Sequence, residues 1–539
     1  MSVALGFAPR SMSARLAVKP DLHRQMLGWG QNTIRLQTRS PVRRWHGSKT
    51  NDSVVDRYLA CTWLTTTPEQ LTPEDILSSF PIAVPDSALE YIPVILFTPA
   101  FAHWADARST FVEQCLNRVY HKALDRPSQV PIHAVIAVID RLPNHPRDEN
   151  TLGNAVECEG LSILLAKGEN IKGKAATPRQ IRSVETEEPT LLFSFRKDAV
   201  DGQTIRQPAH EIGLRLANTI FLNGKENTLF GTRWAYNHSS KRFKLEEAAD
   251  LSTCSVTVNP GNTRNSLELP LHPVGERRKV ISSMGNILRQ VSKHSDGKPN
   301  EPMPASFELE KELPRYIAEN DIADQRVSVW ALIETSAESP YAKSRHSQGS
   351  LAKSIQLGAK LHRVMSGGGG WGKKQGLLSL DPEMSFGQPG DKSMIPLHQI
   401  LSLNDESSTH EVASPLEQPM SLQDLSTLSQ AAEPGDYVQF FASIEGHDPH
   451  SGRNNNTADS WREYLSCSFG VVSDADGCLS QTEKPKALAI SPNYFGALSE
   501  KSITYMQPLP KSGPNETRES RESRTKIDVP GSRVTLILE

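Results

Sequence analysis

The chain has 539 residues and a formal charge of −3, and hydrophobic residues supply 37% of it. That length suits two to four domains. Its 37 Pro and 34 Gly exclude a coiled coil or a collagen, and its apolar share excludes a wholly disordered chain. No reaction follows from these quantities.

Residues 1–48 form a compositionally separate stretch. Arg10, Arg15, Arg24, Arg35, Arg39, Arg43, Arg44 and Lys19 stand against one acid, Asp21, for a net +7. The stretch is Arg-rich, acid-poor and lacks the apolar run of a secretory signal, so it reads as a mitochondrial presequence. Arg43-Arg44-Trp45-His46-Gly47-Ser48 resembles the arginine-marked cleavage sites of the matrix peptidase; a basic disordered tail is the plainer alternative. Without the leader the remaining body carries −10. An acidic body lacks the footprint of a general nucleic-acid binder. The most apolar window, Tyr91 to Trp104, contains Pro93 and Pro99 and falls short of the ~20 residues a transmembrane helix needs. Cys61, Cys115, Cys158, Cys254, Cys467 and Cys478 include no C-x-x-C pair, which supports neither a zinc site nor a disulfide framework.

In chain order, Tyr91–Phe97 predicts a strand buried on both faces. Phe111, Cys115, Leu116, Val119 and Ala123 predict a helix over about 105–124, and Ile132–Ile139 a second buried strand. The three make a βαβ unit. Strands are expected at 161–166, 190–195, 229–236, 255–258 and 266–271. Helices are expected at 208–222, closed by Asn223-Gly224, and at 279–293 through Val280, Met284, Ile287, Leu288 and Val291. The Pro-containing stretch 294–308 reads as a linker. Beyond it, strands are expected at 326–333, 437–442, 465–472, 503–506 and 533–538, with a helix over 350–365. Residues 381–435 are rich in Pro, Ser and acids and read as a partly disordered insertion, a candidate surface for a protein partner. The expected fold is α/β in the mixed α+β sense. It has two sheet-containing halves, 49–293 and 309–539, and long loops.

Four consecutive glycines, Gly367, Gly368, Gly369 and Gly370, precede Trp371, Gly372, Lys373 and Lys374. Glycines let backbone amides converge on an anion, and lysines add charge. The string satisfies Gly367-x4-Gly372-Lys373, but Lys374 stands where a P-loop holds Ser or Thr. It also satisfies G-x-G-x-x-G, yet a helix is expected before it and a strand after, the reverse of both named motifs. What survives is a cationic glycine-rich loop with three readings: an anion site, a lid or partner contact, and a packing turn. Asp140, at the carboxyl end of the second strand, sits where α/β proteins place ligands; a solvated turn carboxylate is its plainer reading. No G-x-S-x-G or H-E-x-x-H is present, and no cofactor is indicated.

Val94–Pro99, the following helix and strand, and Glu157–Leu165 resemble the opening of a FIST domain, a two-part sensory module that binds small ligands. Gly435–Phe441 and Phe495–Glu500 are similar to strands of its C-terminal half, although the Cys-x-x-Arg-Gly-like stretch of that half is missing near Cys467. The resemblance implies binding of a small ligand. Three functional expectations follow: an accessory or small-anion-binding protein of the mitochondrial matrix; an enzyme acting on a phosphorylated substrate through Gly367–Lys374; and an interaction protein of the inner membrane or mitoribosome.

Overall fold

The computed structural model describes residues 60–80, 90–120, 131–144, 157–177, 188–196, 210–225, 227–294, 301–320, 322, 327–335, 348–367, 376–382, 393–402, 430–444, 464–473, 488–508 and 522–539. Its first stretch runs β1 (Ala60–Thr65), α1 (Pro73–Ser78), β2 (Tyr91–Phe97), α2 (Thr110–Val119), β3 (Ile132–Val138), β4 (Leu142–Pro143), β5 (Glu157–Lys167), β6 (Ile171–Ala175) and β7 (Thr190–Phe195). Next come β8 (His210–Arg215), α3 (Ile220–Asn223), β9 (Leu229–Asn237), β10 (Arg242–Val258), β11 (Thr263–Glu268), β12 (His272–Met284), β13 (Ile287–Ser292), β14 (Pro302–Pro304) and α4 (Phe307–Glu319). The order continues with β15 (Val327–Glu334), α5 (Gln348–Gln356), β16 (Lys360–Gly367), β17 (Leu378–Leu380), β18 (Ile395–Pro396), α6 (Leu397–Ile400) and β19 (Tyr437–Ile444). It closes with β20 (Leu465–Val471), β21 (Leu488–Pro492), β22 (Tyr494–Ser499), β23 (Ile503–Pro508), β24 (Glu522–Ile527) and β25 (Arg533–Leu538).

β2 and β3 pair in parallel on either side of α2, the expected βαβ unit. α2 buries Phe111, Val112, Cys115, Leu116 and Val119, and the Ser109 hydroxyl accepts the Phe111 amide at its start, satisfying one orphan donor. β2 and β3 lie within one large sheet, ordered β21-β1-β5-β2-β3-β9-β10-β7-β8-β23-β24. A second sheet has the order β11-β25-β20-β22, so the apolar C-terminal strand is docked between two partners. In the third, β12-β19-β15-β16-β17-β13 closes on itself because β13 also pairs with β12. The result is a six-stranded antiparallel barrel with β14 added to β13. The fold is therefore mixed α+β, mostly β, with long connections.

The expected halves share their sheets. β21, β23 and β24 complete the large sheet begun by β1, and Arg57–Glu539 forms one compact unit. Within the expected linker 294–308, Pro302–Pro304 is a strand at the end of its sheet, where a missing N–H is tolerated. Three expected helices are corrected as well. Residues 279–293 form the β12–β13 hairpin, turning at Gly285 with φ +59 and pairing Val280 with Val291. Among the described residues of 208–222 the helix begins only at Ile220 and runs to Asn223, closed as expected by Gly224 in the left-handed region; the rest includes β8, paired with β7 and β23. The helix expected over 350–365 ends at Gln356. Gly358 at φ +103 turns the chain into β16.

Part of the expected disordered insertion is docked. Leu397, Ile400 and Leu401 are buried, and each such side chain contributes roughly 1.5–3 kcal/mol. Two glycines make the space: a Cβ on Gly231 would stand 2.6 Å from Leu397 Cδ1, and one on Gly173 3.0 Å from Ile400 Cδ1. Arg233 Nη1 donates to the Leu401 carbonyl at 2.9 Å. The polar composition around this short apolar cluster masked it in the sequence.

Candidate functional site

The barrel core is formed by Val274, Val280, Leu288, Val291, Ala331, Ile333, Val438 and Phe440, with Leu309 of α4 joining them. α4 is anchored through Glu308, a buried carboxylate. Its Oε1 accepts the Glu276 amide at 2.8 Å and its Oε2 lies 3.0 Å from Arg278 Nη2. Gly275 adopts φ +69, and a Cβ there would stand 2.5 Å from Glu308 Oε1. The carboxylate thus enters a place that only glycine leaves open.

Beside this anchor a cavity of about 690 Å3 opens to solvent between α4 and strands β15, β16 and β17. The volume falls within the range of ligand pockets. Its apolar wall is Leu309, Leu313, Val327, Val329, Val364, Met365 and Leu378; Ser306, Glu310, Ser328, Arg363 and Ser366 supply polar groups. Met365 is 61% exposed. Pro314, within α4 and lining the cavity, deprives the Glu310 carbonyl of its intrahelical donor.

The cavity exists because the barrel opens along one seam. β15 and β16 pair from Trp330 with Arg363 to Ile333 with Lys360. Past that point, among the described residues, Val327–Val329 pair only with β19, and the end of β16 pairs only with β17. Arg363 Nη2 donates to Ser328 Oγ across the seam at 3.0 Å, and its guanidinium lies 5.6 Å from the Trp330 ring centre.

The glycine-rich loop meets this cavity at its first residue. Gly367 lines it, at the end of β16. A Cβ on Gly367 would stand 2.2 Å from Leu378 Cδ2; Gly376, at φ +84, would meet Pro304 Cβ at 2.6 Å. At both ends glycine is needed for close packing. Gly368, Gly369, Gly370, Trp371, Gly372, Lys373 and Lys374 lie outside the described residues. The strand β16, not the expected helix, precedes the loop, and among the described residues the element that follows it is the strand β17, where a P-loop has a helix.

Asp140 stands apart from the cavity. Its carboxylate is 8% exposed and Oδ2 accepts the Glu500 amide at 2.8 Å. Burial raises its pKa to about 6; the Glu500 hydrogen bond, Lys501 and Arg141 oppose the shift, and the Glu500 charge adds to it. It joins the end of β3 to the turn after β22, and is not a solvated turn carboxylate. Arg363, Leu313, Val329 and Met365 escaped sequence reading. The amphipathic positions Leu309, Leu313 and Tyr316 could have marked α4, but only the seam brings them to β16.

Among the described residues no group of three or more His, Cys, Asp or Glu is placed to hold a metal, and no helix is long and apolar enough to cross a membrane. Comparison with family models, curated proteins and solved structures gives no match for the chain.

Proposed function

We propose that the protein is a ligand-binding accessory factor of the mitochondrial matrix, and that it acts without catalysing a reaction. Its site is the barrel cavity, and its ligand carries an apolar body and an anionic group. One observation carries this reading: a solvent-open cavity with a continuous aliphatic wall has a single cationic side chain, Arg363, among its lining residues. An exposed guanidinium at an apolar opening suits a carboxylate or phosphate end group, which it can engage through two parallel hydrogen bonds. Lys373 and Lys374 follow Gly367 closely in the sequence and carry the same sign of charge. The resemblance to FIST-type modules and the Arg-rich leader support the ligand-binding and matrix assignments.

Native mass spectrometry of the purified protein, followed by titration with the molecule recovered, tests the proposal. Arg363→Ala and the Lys373→Ala/Lys374→Ala pair should each weaken binding several-fold and flatten its salt dependence. Failure to recover any bound molecule, with wild-type behaviour of both variants, would overturn it.

A further inference from the structure

The seam differs from an ordinary ligand pocket in one respect: its two long sides are strand edges. Beyond the Trp330–Arg363 pair, Val327–Val329 and Val364–Gly367 run on without pairing to each other, and among the described residues no other strand pairs with these facing edges. An unpaired edge presents alternating N–H and C=O groups, and those groups seek hydrogen-bond partners. Exposed edges are ordinarily guarded by lysine, proline or an inward charge. Neither Val327-Ser328-Val329 nor Val364-Met365-Ser366-Gly367 contains any of these. The floor below the seam is aliphatic, through Leu309, Leu313 and Leu378. At the point where the two strands part stands Arg363.

We propose that the seam accepts an extended peptide, added as a strand against β15 or β16, with apolar side chains at alternate positions in the cavity and an acidic group beside Arg363. This rests on the reading of the cavity as a ligand site. An acyl chain would fill the aliphatic floor but leave both backbone edges unmatched. A peptide answers both features, because its main chain pairs with an edge while every second side chain points to the floor. The peptide chemistry that fits is Val, Ile or Leu at alternate positions, with Asp, Glu or a C-terminal carboxylate at one end.

The test uses the full chain and a soluble library of ten-residue peptides with Val, Ile or Leu at alternate positions and Glu last. The best binder is compared with a copy N-methylated at alternate amides, and dodecanoate serves as the non-peptide probe. Peptide binding should fall at least tenfold on N-methylation and at least tenfold in Met365→Glu. The Met365→Glu variant should keep its melting temperature, since the replaced side chain is mostly exposed. Amide exchange at Val327–Val329 and Val364–Ser366 should slow when peptide is bound. Equal affinity for the N-methylated copy would overturn strand addition. Binding of dodecanoate but of no peptide would overturn the peptide assignment and leave the cavity as a ligand site. Binding of neither would overturn both readings.

Discussion

Asp140 and Glu500, 360 positions apart, are joined by a 2.8 Å hydrogen bond from the Glu500 amide to the Asp140 carboxylate. The bond fastens the end of a βαβ strand to a turn built from the C-terminal part of the chain. Burial raises the Asp140 pKa from its ordinary value near 4 to about 6. The folded state therefore holds the proton more tightly than the unfolded state between these values. Stability from this group is full below about pH 4, falls as pH rises to about 6, and is level above that. Asp140→Asn keeps a carbonyl acceptor for the Glu500 amide and carries no charge. Its melting temperature at pH 7 should exceed that of wild type by a few degrees, with the difference vanishing near pH 4. The shift corresponds to at most about 3 kcal/mol. Thermal denaturation from pH 4 to 8 checks this, and equal profiles for the two proteins would refute it.

A second prediction concerns the docked segment at Leu397. Leu397→Ala should cost about 2–5 kcal/mol, as a large-to-small change at a buried site does. Gly231→Ala should also destabilise, because its Cβ would press on Leu397 Cδ1. In the double variant the added methyl has room, so the two losses should not sum. Urea unfolding of the three variants gives the coupling; strict additivity would show that Leu397 does not occupy the space at Gly231.

The C-terminal strand supplies a third. Arg533 is buried, lies 2.5 Å from Glu157 Oε1, and donates through Nη1 to the carbonyls of Val471 and Ser532. The Ser473 amide and hydroxyl donate to the same carboxylate oxygen. Glu157→Gln leaves a buried guanidinium uncompensated, a change that costs about 3–5 kcal/mol. Arg264 pairs with Glu539 on the surface and is 71% exposed; Arg264→Ala should cost under about 1 kcal/mol. Chemical denaturation of both variants measures the contrast.

Cysteine reactivity is the fourth. Cys61, Cys115, Cys158, Cys254 and Cys467 are buried free thiols. Burial pushes Cys254 up to about 12, and Cys61, Cys115 and Cys467 higher still. At pH 8 the thiolate is the reactive form, so none of these five thiols should take up iodoacetamide in the native protein. All six thiols should react in denaturant. A thiol reductant should leave the melting temperature unchanged.

The basic stretch 1–48 gives the fifth. Residues 1–48 fused to a fluorescent reporter should carry it into mitochondria, with processing near Trp45–Ser48. Changing Arg35, Arg39, Arg43 and Arg44 to Glu should abolish import in an organelle import assay. A reporter still imported after all four changes would remove the presequence assignment.

Local composition specifies the short buried strands. Tyr91–Phe97, Thr190–Phe195 and Arg533–Leu538 appear at the expected bounds, because a continuous apolar run flanked by polar residues has few other ways to leave water. It also marked the left-handed cap at Gly224, a constraint local to one residue. The hairpin at 279–293 was hidden, since Val280, Met284, Ile287, Leu288 and Val291 satisfy helical spacing too. Pairing with β17 and β19 from distant parts of the chain makes the strands the lower-energy choice. The candidate site is tertiary for the same reason. Gly367 was visible as part of an unusual string, but Leu313, Val329 and Arg363 become one wall only when the barrel closes. The cavity follows from where two strands cease to pair, and register between distant strands is set by packing across the whole sheet rather than by any local run of residues.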